Sequence, residues 1–189
     1  NNNLDISQLS GKKLSYNNFN DIYAALSISR TLPKNNGTVI VKHANPCGVS
    51  ANNNKIQSYK EALACDPISA FGGIVSCNFK ITKKLSLELN KIFFEVIIAN
   101  GFEKDALKIL KSKKNLRLID ASSYQKNEQL TFNSLNDSII IQSEDKKIFT
   151  KKDFKIVSKI KPNKDQFENL IFAFNVCRYV KSNAIVLAT

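Results

Sequence analysis

Hydrophobic and polar positions follow two periods along this chain, and the switches between them mark its elements. Val39-Ile40-Val41 is wholly β-branched, which predicts a strand buried on both faces of a sheet. Ahead of it, Ile22, Ala25, Leu26 and Leu32 keep helical spacing, and Asn20 or Asp21 is placed to cap that helix. After it, Ser58 and Glu61 have the spacing of a capping box, predicting a helix through Cys65. Asp66-Pro67 ends that helix, because the residue before Pro is pushed out of the helical region. Residues 69–75 give a Gly-bearing turn into a second strand, and Thr82 precedes a helix marked by Leu85, Leu89 and Ile92. Residues 95–99 read as a third strand, Asn100-Gly101 as a turn, 102–111 as a helix and 116–120 as a fourth strand.

The remainder is less regular. Residues 121–137 are polar and read as an excursion over the surface, 138–142 as an edge strand, and 146–161 as no defined element. Residues 163–180 give the clearest helix, with Phe167, Leu170, Ile171, Phe174 and Cys177 on one stripe. Residues 181–188 then begin a strand, and the stop at Thr189 with no closing helix reads as truncation. Residues 1–10 read as a polar trailing end of something upstream. Alternating strands and helices without repeat or long linker predict one α/β unit, a layered mixed sheet with flanking helices.

Composition changes this picture little. A chain of 189 residues can bury a real core. The absence of an apolar run near 18 residues predicts no membrane partner, and the start lacks the basic and apolar regions of a signal peptide. Cys47, Cys65, Cys77 and Cys177 show no CxxC pair and no framework spacing, which predicts reduced thiols and a cytoplasmic location. The net charge of +12 admits a polyanion partner. Its lysines, however, are scattered in pairs such as Lys12-Lys13 and Lys83-Lys84 rather than gathered in a tract with aromatics. Solvated surface with some attraction for anionic small molecules is the reading; a basic RNA-binding module is disfavoured.

Candidate chemistry follows the first strand. Lys42 and His43, the only histidine, come directly after Val41. Asn45-Pro46-Cys47-Gly48 then predicts a turn. Such a strand delivers a cation and an imidazole to its carboxyl end, where open α/β sheets place their ligands. By pattern alone, a lone His after a strand is more often a surface or hydrogen-bonded structural residue than a catalyst. Adjacent residues on an extended strand point to opposite faces, so both reach one substrate only if the backbone bends between Ala44 and Cys47.

The run Val41-Lys42-His43-Ala44-Asn45-Pro46-Cys47-Gly48 resembles the signature of aminoimidazole carboxamide ribonucleotide (AICAR) transformylase. That activity forms part of a bifunctional purine-biosynthesis protein that also carries inosine monophosphate (IMP) cyclohydrolase. Three further runs are similar to the family in the same order: Gly11-Lys12 through Leu14-Ser15-Tyr16-Asn17-Asn18 to Asp21 and Ala24-Ala25; residues 65–75; and Lys181-Ser182-Asn183-Ala184. The resemblance implies a cytidine-deaminase-like fold. It implies that residues 1–189 are the first half of a transformylase domain, with the cyclohydrolase domain and the second half absent. It further implies formyl transfer from 10-formyltetrahydrofolate, as co-substrate, to the 5-amino group of AICAR, in a protein that is a homodimer when complete.

By the same resemblance His43 is the base and Lys42 the electrostatic stabiliser, with Asn183, Gly72, Glu95 and Asn45 at the substrate. Glu95 reads equally as a strand-start carboxylate, and Asn100 replaces the proline usual after the Ile-Ile-Ala run of this family. The roles suit the reaction. An imidazole can accept the amine proton during attack, and a fixed cation can stabilise the oxyanion, a contribution of about 3–4 kcal/mol where such a donor has been removed. Zinc deaminases need His-x-Glu and Pro-Cys-x-x-Cys; here Asn45 stands where Glu would be and no second Cys follows Cys47, so no catalytic metal is expected. A competing reading is a catalytically incomplete fragment that binds AICAR weakly or only dimerises.

Overall fold

The computed structural model describes residues 5–125, 130–145 and 147–189. Its centre is a six-stranded mixed sheet in the order β1-β6-β5-β4-β2-β3. The strands are β1 (Ser7–Ser10), β2 (Gly37–Lys42), β3 (Asn45–Ala51), β4 (Ile74–Cys77), β5 (Val96–Ala99) and β6 (Arg117–Asp120). β4, β5 and β6 run parallel, β2 is antiparallel to β4 and β3, and β1 is antiparallel to β6. This is the α/β layered arrangement with flanking helices that the alternation predicts.

Burial explains the layers. In β2, Val39 and Val41 pack with Ile22, Ala25 and Leu26 of α1 (Tyr16–Ser29). Ile40 turns the other way, towards Tyr59 and Ala62 of α2 (Lys55–Cys65). The same alternation sends Val75, Ile97 and Leu118 to one core and Ile74, Ile98 and Ile119 to the other. On the Ile40 side, Leu85 and Leu89 of α4 (Lys83–Leu89) and Ala106 and Leu110 of α5 (Lys104–Leu110) complete the cover. A one-turn α3 (Pro67–Ala70) links α2 to β4, capped by Asp66.

Several expectations are corrected. α1 is capped by Ser15, reciprocated by Asn18, not by Asn20 or Asp21; its first turn is polar and so falls outside the apolar pattern. α2 is capped by Asn54. Ser58 lies inside that helix, where its buried hydroxyl donates to the Asn36 carbonyl (2.8 Å). Glu61 instead accepts from Ser50 (2.7 Å) and Asn52 (2.9 Å). The polar start contains β1, an edge strand that needs no apolar alternation.

Residues 121–137 include β7 (Leu130–Leu135), which pairs with β8 (Ser138–Ser143) in a separate hairpin, so β8 is not an edge of the main sheet. A 3-10 turn (Lys151–Asp153) precedes α6 (Lys164–Cys177). Residues 181–188 form no strand, with a bend at Ser182-Asn183, and have no ladder partner among the described residues. Without a partner strand, apolar alternation alone makes no sheet.

Candidate functional site at one end of the sheet

β2 runs against β4, β5 and β6, so its carboxyl end lies beside their amino ends. Val41 pairs with Ile74, the first residue of β4, and Ile74 with Val96, the first residue of β5. Lys42 therefore does reach the end of its strand, but at the edge opposite to the carboxyl ends of the parallel strands. The expectation of a carboxyl-end ligand crevice is corrected accordingly.

The turn is also displaced. Asn45-Pro46 does not make it: Lys42 pairs with Asn45 across a two-residue loop, and Asn45 and Pro46 already belong to β3. His43 and Ala44 take φ of 55° and 57°, the left-handed pair of a type I′ hairpin turn. That region costs non-glycine residues on the order of 1–3 kcal/mol each. Pro46 is tolerated because β3 is an edge strand. The register slips between Ile40 and Val41, leaving Cys47 unmatched, which is a β-bulge. The turn brings the imidazole to the surface: His43 is exposed and meets no hydrogen-bond partner among the described residues.

The neighbouring loops converge on this turn. Lys42 Nζ donates to the Phe71 carbonyl (2.9 Å); an ammonium has three N–H donors, so two are left for other acceptors. Gly72 follows with φ +73°, and its N–H donates to the Phe93 carbonyl (2.8 Å). At Gly73 a Cβ would lie 2.8 Å from the Val41 carbonyl oxygen, so glycine there lets this loop close on β2. The Phe71 and Phe93 rings meet at a tilt with centroids 5.5 Å apart, both exposed, as an apolar wall beside Lys42.

Glu95 precedes β5, two strand positions from β2 and thus about 10 Å along the edge. Its carboxylate accepts from Asn18 Nδ2 (2.9 Å) and lies 3.6 Å from the guanidinium of Arg117, at the head of β6. On the far side, Asn45 Oδ1 accepts from the backbone N–H of Lys181 (3.2 Å). Asn183 follows two residues later, exposed and without a side-chain partner among the described residues.

Lys42, His43, Asn45, Gly72 and Glu95 thus share one end of the sheet, and the segment carrying Asn183 touches it at Asn45. Sequence reading missed Asn18 and Arg117, and gave Asp21 only a capping role; Ala44 N–H in fact donates to Asp21 Oδ1 (2.6 Å). Asn18 and Asp21 lie in the run from Gly11 to Ala25, so a signal for them existed; Arg117 has none. Burial, then the charge of Asp66, pushes the Cys47 thiol up to about 11. Its Sγ donates to the Ile40 carbonyl at 3.5 Å, so it sits neutral and inward, unsuited to be a nucleophile. Among the described residues no three His, Cys, Asp or Glu side chains are grouped to hold a metal ion.

A family model described as the AICARFT/IMPCHase bienzyme matches residues 1–189. The chain belongs to this family. Among curated relatives, the bifunctional purine biosynthesis protein PurH of Leptospira biflexa is 42% identical over 179 residues, 94% of this chain and 35% of its own length. The protein of the same name from Caldicellulosiruptor saccharolyticus is 40% identical over 182 residues, 96% of this chain and 35% of its own. The chain therefore spans about a third of the length of the family members it matches. Among solved structures, the dCMP deaminase of cyanophage S-TIM5 covers 52% of this chain and 94% of its own at a TM-score of 0.40 and 13% identity, too slight a likeness to assign a deaminase fold.

Proposed function

We propose that this chain supplies the base and the oxyanion-stabilising cation of an AICAR formyltransferase. The observation that carries the reading is the exposed His43 beside Lys42 on a type I′ turn, at one sheet end with Asn45, Gly72 and Glu95, in a chain of the bienzyme family. The 5-amino nitrogen of AICAR attacks the formyl carbon of 10-formyltetrahydrofolate, and His43 accepts the amine proton. Lys42, with two N–H donors beyond its bond to Phe71, stabilises the oxyanion. Collapse breaks the bond from the formyl carbon to N10, which takes a proton as tetrahydrofolate leaves. Asn45, Gly72, Glu95 and Asn183 position the substrate. The same reading makes the layered unit a cytidine-deaminase-like half of a transformylase domain, acting in the cytosol as a homodimer once the rest of the family's length is present.

The test is tetrahydrofolate release with AICAR, by this chain alone and by a protein carrying the rest of the relatives' length. Activity in the longer protein supports the reading; activity in neither overturns it. In the active form, His43→Ala lowers turnover by about 10²–10⁴-fold with AICAR binding little changed. Full activity in that variant overturns the assignment of the base.

One observation favours a second reading. The chain spans 35% of its relatives, so alone it can be a weak AICAR-binding or dimerising module. Binding of AICAR without turnover, restored to turnover by the longer protein, is its signature.

A further inference from the structure

The His43-Ala44 turn poses a physical problem that its own residues do not solve. Both take positive φ, a region favoured by glycine and asparagine, and neither is either. In a two-residue hairpin loop the N–H of the second loop residue has no ladder partner. Here that N–H belongs to Ala44, and Asp21 Oδ1 takes it at 2.6 Å. Asp21 comes from α1, which is pinned to the sheet by Ile22, Ala25 and Leu26. A carboxylate accepting a backbone N–H makes one of the stronger neutral-to-charged bonds, and this one spans 23 residues of sequence.

We propose that Asp21 is a positioning residue for His43: its carboxylate holds the Ala44 amide and so fixes the turn that presents the imidazole. Asp21 acts through the backbone and touches no substrate. Without it the turn relaxes towards conformations that alanine and histidine prefer, and the imidazole leaves its place beside Lys42. The catalytic part of this inference rests on the formyl-transfer reading; the anchoring part does not.

Two measurements separate them. In the protein of full family length, Asp21→Ala lowers kcat by about 10²-fold, the cost of an ångström-scale misplacement, while KM for AICAR stays within a few-fold. Asp21→Asn, which keeps an acceptor oxygen, recovers most of that loss. Adding Ala44→Gly to Asp21→Ala also recovers it, since glycine adopts the turn without help; a role of Asp21 in helix stability alone would not respond to that change. Independently of turnover, the Ala44 amide proton exchanges slowly in the unaltered protein and faster in Asp21→Ala. Unaltered kcat in Asp21→Ala, or loss that Ala44→Gly does not repair, overturns the positioning role. Equal amide exchange in the two proteins overturns the anchor itself. An unaltered protein that shows slow Ala44 exchange but no formyl transfer supports the anchor and overturns the assigned reaction instead.

Discussion

Residues 5–125 and residues 130–189 carry similar densities of apolar side chains but dispose of them differently. In the first, Ile22, Val39, Ile40, Ile97 and Leu118 are all closed to solvent. In the second, Phe132, Ile139, Leu170 and Phe174 remain exposed, and Leu187 is 91% so. Phe172 of α6, and Tyr179 just beyond its end, pack against the core on the α1 side of the main sheet, not the stripe that its periodicity singles out. That stripe instead faces a local aromatic cluster: Phe174 lies 4.8 Å from Phe149 and 5.2 Å from Phe154. The tail residues 186–188 line a shallow groove with Leu170 and Ala173. Periodicity reports which face wants cover, and the fold decides whether cover arrives.

The largest expected difference between the regions is the cost of an equal truncation. Ile97→Ala opens a hole in a close-packed core and should cost about 2–5 kcal/mol. Leu170→Ala, at a side chain 58% exposed, should change stability by no more than about 0.5 kcal/mol. Urea unfolding of both variants measures this, and equal costs would dissolve the contrast.

Glycine sharpens it from the other direction. All six glycines lie in the first region and none after residue 101. At Gly48 an added Cβ would sit 1.8 Å from the Ala62 carbonyl oxygen, so β3 and α2 approach closely only because that position is bare. Gly48→Ala should cost about 1–3 kcal/mol or more by forcing α2 off the sheet. A melting temperature equal to that of the unaltered protein would show that α2 can yield.

The same contrast explains what was legible in the sequence. Val39-Ile40-Val41 and the strands at residues 95–99 and 116–120 were readable because burial on both faces leaves an unbroken apolar run. β1 was not, because an edge strand of Ser, Gln and Leu carries no such run. Residues 181–188 had the run without the neighbour. At the site, Lys42 and His43 were visible as chemistry at a strand's end. The direction of β2 was not, since nothing in a single strand's pattern says whether its neighbours run parallel. Residue preference places the turn on Asn45-Pro46, whereas it falls two residues earlier on His43-Ala44, where Asp21 Oδ1 accepts from the Ala44 N–H. Tertiary contact overrode local preference there.

A smaller effect comes from within the well-packed region. The Tyr59 hydroxyl is buried and meets no hydrogen-bond partner among the described residues, and burial raises its pKa above the usual phenolic value. An unmet buried hydroxyl is a net cost. Its ring meanwhile packs edge-on against Phe94 at 6.4 Å. Tyr59→Phe keeps the ring and removes the cost, so stability should rise by about 1 kcal/mol, read from the urea midpoint. A loss instead would mean that the hydroxyl has a partner, and that this core is less dry than its packing indicates.

The smallest expected effect lies in the second region and is one of pH. None of the buried residues of the first region is a carboxylate, so its core has nothing to protonate. The turn at residues 150–153 is instead held by one. Asp153 accepts from the N–H (2.8 Å) and hydroxyl (3.0 Å) of Thr150 and pairs with Lys147 Nζ at 2.9 Å. The Lys147 bond first, then the Thr150 backbone bond, lowers its carboxyl from 3.8 to about 2. Because the folded value lies below the unfolded one, the stabilisation is present in full above about pH 4 and fades as pH falls towards 2. The Thr150 amide resonance should therefore titrate with a midpoint near 2, and Asp153→Asn should abolish that titration. A midpoint near 3.8, the value of an unassisted carboxyl, would mean that this turn is not held by Asp153, leaving the aromatic cluster as the main support of the second region.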